Sequence, residues 1–178
     1  MAYSSDGETW TAVTDSKFSN FAILSIAWGN NKFVALGGGK IAYSSDGISW
    51  TEVPGTFSGL SIAYGGGKFV AGGYEGKMAY SSDGVTWQQV SDSTFEVTIW
   101  LNPIYSIAWN GSKFVAGGNG GKMAYSSDGV NWTAVTDSTF GSSTIYSIAW
   151  GGGKFVAGGS TGKMAYSSDG EHWTGITP

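Results

Sequence analysis

The stretch MAYSSDGVNWTAV (Met123–Val135) decides the fold, because the chain contains five versions of it. The others are MAYSSDGETW (Met1–Trp10), IAYSSDGISW (Ile41–Trp50), MAYSSDGVTW (Met78–Trp87) and MAYSSDGEHW (Met164–Trp173). Their aspartates, Asp6, Asp46, Asp83, Asp128 and Asp169, stand 40, 37, 45 and 41 residues apart. A period near forty in a strand-rich sequence predicts an all-β β-propeller, each unit supplying one four-stranded antiparallel blade.

Outward from the quoted stretch, each period divides into four strands. The first is LSIAW (Leu24–Trp28), LSIAY (Leu60–Tyr64) or YSIAW (Tyr105–Trp109 and Tyr146–Trp150). The second is KFVA, led by Lys32, Lys68, Lys113 and Lys154; KMAYS or KIAYS follows, then WTAV or a relative such as WTEV and WQQV. GNN, GGG and NGS join the first two strands and SDG joins the last two, residues suited to tight turns with positive φ. No apolar period of 3.6 residues survives ten positions, which excludes helices. The count gives one domain, 1–178, with complete blades at 24–54, 60–91, 105–136 and 146–178. An outer half blade at 1–13 precedes them. Alternation in Tyr146–Trp150 puts large residues on one face and Ser147 and Ala149 on the other, so successive sheets are expected to nest bulk into hollow. The five tryptophans that end the repeated phrase, Trp10, Trp50, Trp87, Trp132 and Trp173, are expected to dominate the core.

Thirty glycines and 15% aromatics with three prolines suit many short strands. The chain lacks cysteine, which excludes disulfides and thiolate metal sites. No apolar run approaches the ~18 residues of a membrane span, and no secretory signal pattern opens the chain, so no membrane insertion is expected. A net charge of −4 argues against nucleic acid.

The five SSDGxxW phrases resemble the Asp-box, or bacterial-neuraminidase repeat, of sialidase-like propellers. That family's motif is S-x-D-x-G-x-x-W in the turn between the third and fourth strands; here glycine follows aspartate directly, one residue sooner. The resemblance covers nearly the whole chain. It implies a structural role for Asp6, Asp46, Asp83, Asp128 and Asp169, whose carboxylates would cap their own turn amides on the face away from the family's active site. It also favours an extracellular or surface location.

The resemblance invites a sialidase, which the composition opposes. That family's hydrolases grip the substrate carboxylate with three arginines, and this chain has none among its nine basic residues. Asp15, Asp92 and Asp137 share one repeat position after the fourth strand, the mark of a loop-forming device rather than of a catalytic pair. His172 is the sole histidine, too little for a His-ligated metal or a charge relay. No catalytic residue, no metal and no cofactor is expected, and the protein is read as not an enzyme.

The blades differ from one another mainly in two connections, fourth strand to first and second to third, which in a propeller emerge on one face. Binding residues are therefore expected there: Trp100, Asn102, Tyr105, Tyr74, Glu75, Asn119, Tyr146 and Ser160. EVTIWLNP (Glu96–Pro103) lengthens one connection and carries Trp100, either a stacking platform or a lid over the central channel. The functional expectation is a lectin-like or protein-binding module, recognising a glycan or surface partner through these loops. The alternative is a structural interaction unit, natural or engineered, cut from a longer array. The surplus half blade is expected to promote a homo-oligomer through an unpaired edge.

Overall fold

The computed structural model describes residues 1–55, 57–95 and 102–176. Four sheets have four strands each, in simple sequential order. Blade I comprises β3 (Ser25–Gly29), β4 (Lys32–Gly37), β5 (Lys40–Ser44) and β6 (Thr51–Glu52). Blade II has β7 (Gly59–Gly65), β8 (Lys68–Gly73), β9 (Met78–Ser81) and β10 (Gln88–Gln89). Blade III has β11 (Ile104–Trp109), β12 (Phe114–Gly118), β13 (Met123–Ser126) and β14 (Thr133–Ala134). Blade IV has β15 (Ile145–Gly151), β16 (Lys154–Gly159), β17 (Met164–Ser167) and β18 (Thr174–Ile176). A two-stranded sheet, β1 (Ala2–Tyr3) with β2 (Thr11–Ala12), precedes them. Every pairing is antiparallel, and the first strands of successive blades lie side by side around a common axis.

Turn chemistry sets the hairpins. Asn30–Asn31, Gly66–Gly67 and Gly152–Gly153 hold paired positive φ angles between the first and second strands. That conformation matches the twist of a two-residue hairpin and is cheap for Asn and Gly. In blade III the wider turn is tied instead by the Asn110 carboxamide oxygen, which accepts the amides of Ser112 and Lys113 at 2.8 and 2.7 Å.

Blades nest as the alternation predicts. The small-residue face of blade II offers Val70, Met78 and Val90 to Ile104, Ile107, Phe114 and Trp132 of blade III. Val115 and Met123 of blade III meet Ile145, Ile148, Phe155 and Trp173 of blade IV in the same way. Glycine is required where a ring crosses: a Cβ on Gly65 would lie 2.2 Å from the Trp109 side chain, and one on Gly29 would lie 2.0 Å from Tyr64. Each inner strand is also pinned to the next. Ser25, Ser61 and Ser106 hydroxyls accept the amides of Ile62, Ile107 and Ile148 at 3.1, 3.0 and 2.9 Å. Such a bond contributes about 1 kcal/mol net.

The box tryptophans do not dominate the core as expected. Trp50, Trp132 and Trp173 are buried, Trp87 is half-buried, and Trp10 is 63% exposed. The largest fully buried side chains are six phenylalanines: Phe18, Phe69, Phe95, Phe114, Phe140 and Phe155. The reason is position: a box tryptophan is covered by the outer strands of the preceding blade, and β1–β2 has no preceding blade.

The arc is open at both ends among the described residues. Met1 and Val13 pack against Phe18, Ala35, Ala42 and Trp50, so β1–β2 covers the outer half of blade I's bulky face. The inner half, with Leu24, Ile26 and Trp28, is exposed. At the other end blade IV exposes Val156, Met164 and Ile176.

Candidate binding face

Both variable connections do emerge at one end of the blades and bond to each other there. The Tyr74 amide donates to the Ser58 carbonyl, Asn119 to Pro103 and Ser160 to Thr144. Three of the long connections share an anchor, D-S-x-F, that explains their repetition. Asp92 and Asp137 carboxylates accept the amides of Thr94 and Thr139 at 2.8 and 2.9 Å, which holds those threonines at positive φ. Ser93 and Ser138 hydroxyls then donate to the carbonyls of Gly76 and Gly121 at 2.5 and 2.6 Å. The phenylalanines that follow, Phe95 and Phe140, are fully buried, as is Phe18 in the connection carrying Asp15. These aspartates are loop-forming devices, as their repetition implied.

The connection from blade I to blade II, PGTFSGL (Pro54–Leu60), lacks this anchor. Its Phe57 is only half-buried, and a cleft of about 640 Å³ opens between the outer parts of the two blades. Apolar walls come from Ile41, Val53, Phe57 and Trp87, polar ones from Ser58, Gln88 and Gln89. Glu75 and Lys77, paired at 2.6 Å, stand beside Tyr74 at one side. Gln88 is fixed by the Tyr80 hydroxyl, which donates to its carboxamide oxygen at 2.8 Å.

Tyr74 joins this cleft to a second feature nearer the axis. The rings of Tyr105 and Tyr146 lie 5.5 Å apart at 60°. Burial raises the Tyr105 hydroxyl above its ordinary value, and the neighbouring Tyr146 and Tyr74 hydroxyls raise it further. A β-bulge places the pair: the register slips between Ile104 and Ser106, and again between Ile145 and Ser147. The bulge takes Tyr146 out of the alternation, leaving it 56% exposed while Ile145 and Ile148 both pack on blade III.

Of the residues singled out in the sequence, Tyr74, Tyr105 and Tyr146 are brought together, with Glu75 beside them in the cleft wall. Asn119 is half-buried and its carboxamide oxygen accepts the Thr144 hydroxyl at 3.0 Å. Ser160 is half-buried in a one-turn helix, and Asn102 is buried at the foot of blade III. Trp100 lies outside the described residues. Sequence reasoning missed Phe57, Lys77, Trp87, Gln88 and Gln89. Two signals could have found them: the missing D-S-x-F in 54–60, and WQQV where the other blades have WTEV, WTAV or WTGI.

The five SSDG turns sit at the opposite end, where the hydroxyl and carboxylate of each cap the turn. In the third complete blade Asp128 accepts the amides of Val130 and Asn131, both at 2.8 Å, and the Ser126 hydroxyl at 3.0 Å. Ser126 in turn accepts the Gly129 amide, and Trp132 donates its ring N–H to the Gly129 carbonyl. The same set recurs at Asp6, Asp46, Asp83 and Asp169. The amide of Ser49 leads in holding Asp46 down at about 2, and that of Thr86 does so for Asp83. Burial works against ionisation at Asp128, but the Asn131 and Val130 amides outweigh it and bring it to about 2. The early glycine has not broken the cap.

No family model matches the chain, and no curated protein matches it. Solved structures do match, and three of them align as follows. The structure of YCF48 bound to D1 peptide aligns at 20% identity and a TM-score of 0.64, over 97% of this chain and 60% of that one. The computationally designed Ika4 protein aligns at 16% and 0.62, over 83% and 91%. The extracellular domain of BT4673 from B. thetaiotaomicron aligns at 12% and 0.68, over 88% of this chain and 22% of that one. The chain thus spans less than two thirds of two of these three. What they share with it is the β-propeller fold, of which this chain has four complete blades and a partial one.

Proposed function

We propose that the protein is a non-catalytic interaction module of the Asp-box type, which takes an extended segment of a partner protein on its variable-loop face. The observation that carries this is the cleft between blades I and II, whose wall residue Tyr74 neighbours the Tyr105–Tyr146 pair. An apolar floor beside carboxamides, a hydroxyl and a Glu–Lys pair suits a peptide with one apolar anchor and free backbone groups. The likeness to YCF48, a structure with a bound peptide, agrees with that class of ligand. The non-catalytic reading draws on the chemistry available. The chain lacks arginine, and His172 is exposed and bonded to Asp169 at 2.8 Å. Glu52 and Glu171 are tied to Lys40 and Lys113, and no three potential metal ligands gather among the described residues.

A glycan is the second reading, favoured by the Tyr105–Tyr146 ring pair, whose exposed member offers a stacking face. A displayed random-peptide library and a glycan array, read side by side, test both. The expected result is peptide binding that falls at least tenfold in Tyr74→Ala. Glycan binding lost in Tyr146→Ala, with no peptide selected, would replace the peptide by a sugar. Binding in neither assay would overturn the module and leave a structural unit of a longer array.

A further inference from the structure

The two bare faces of the arc are the two halves of one interface that the chain makes three times within itself. Ile62, Ile107 and Ile148 are buried against the preceding blade, whereas their equivalent Ile26 is 47% exposed. Trp28, equivalent to Tyr64, Trp109 and Trp150, is 52% exposed. On the opposite face Val34, Val70 and Val115 are fully buried, and Val156 is 37% exposed. Met78 and Met123 are buried where Met164 is exposed. The glycines repeat the comparison. Gly29 and Gly65 are filled by rings of the next blade, and Gly72 and Gly117 by isoleucines; their equivalents in blade IV, Gly151 and Gly158, face open space. Ser147 is exposed, where Ser25, Ser61 and Ser106 each hold an isoleucine amide of the next blade.

We propose that two copies of the 178-residue chain close head to tail into one ring, the hollow face of blade IV in each receiving Leu24, Ile26 and Trp28 of the other. The occupant is a second copy because bulk and hollow are complementary in the register already used between blades I and II, II and III, and III and IV. Two copies supply eight complete blades, the upper end of the ordinary four-to-eight range, so closure stops at the dimer. The device differs from pairing along an unpaired strand edge: it joins faces. The hairpins β1–β2 and β17–β18 then compete for one place, since Met164 and Ile176 are the equivalents of Met1 and Val13 on blade I. β17–β18 keeps it, being laddered to β16 through four residue pairs; β1–β2, a separate two-stranded sheet laddered to no other strand, yields.

Light scattering coupled to size exclusion at micromolar concentration tests this, with Gly151→Val and Gly158→Val as variants. Both positions are extended backbone with open space within one chain, so the variants keep the wild-type circular dichroism; across the interface each added side chain occupies the partner's place. The expected result is a wild-type mass twice 18.5 kDa, falling to the single-chain mass in both variants. A wild-type mass of one chain, or of more than two, would overturn the proposal. So would variants that keep the doubled mass. The test is independent of any ligand on the loop face.

Discussion

At the scale of residues, the aspartate of each SSDG turn is a cap that acts through charge as well as geometry. Asp46, Asp83 and Asp128 have folded values near 2 against an ordinary 3.8, so the folded state binds fewer protons than the unfolded chain between those limits. The stability they contribute is fully present above about pH 4 and is lost as the pH falls through 2. Thermal unfolding followed from pH 6 to pH 2 should show a plateau down to about 4 and a steep fall below it. A melting temperature flat to pH 2 would mean that the boxes are solvated loops. This much was legible in the sequence, because five copies of one turn left a single role for its aspartate. The burial of its tryptophan was not, because that depends on the neighbouring blade rather than on the motif. Trp10 and Trp132 have the same local sequence role and opposite exposure.

At the scale of elements, the D-S-x-F connection decides where a loop is closed and where a cleft remains. Phe140 is fully buried and Phe57, its counterpart in the connection without the aspartate, is not. Truncating a fully buried phenylalanine costs roughly 3–5 kcal/mol. Phe140→Ala should lose that much in urea unfolding, and Phe57→Ala less than half of it; equal losses would mean that the cleft is an ordinary part of the core. The strands, hairpins and order of elements could be read in advance from period, alternation and turn residues. The β-bulge could not be read from alternation alone, since YSIAW runs cleanly from Tyr146 to Trp150. Its trace was one residue earlier: adjacent Ile145 and Tyr146 cannot both follow a period of two on one packed face. The cleft was legible only as an absence, a short connection among long ones, and comparing lengths drew attention instead to the longest, which carries Trp100.

At the scale of the whole molecule, repeat counting predicted four complete blades and a half, and the structure has them. It did not predict which surfaces would be bare. A strand count locates the unfinished blade, whereas exposure depends on which face each neighbour covers: β1–β2 shields the outer part of blade I and leaves Ile26 and Trp28 open. The same logic makes the chain's stability a sum of nearly equal blade-to-blade contacts, three of them internal.

Those contacts rest on one physical claim, that the bulky face of each blade fits a glycine-lined hollow in the one before it. A double-mutant cycle between Gly65 and Trp109, residues of different blades, tests it most directly. Gly65→Ala alone should cost about 1–3 kcal/mol, because its methyl meets the indole at 2.2 Å. In a Trp109→Ala background the collision is gone, and the same substitution should cost almost nothing. Strict additivity of the two changes would contradict the nesting of the blades.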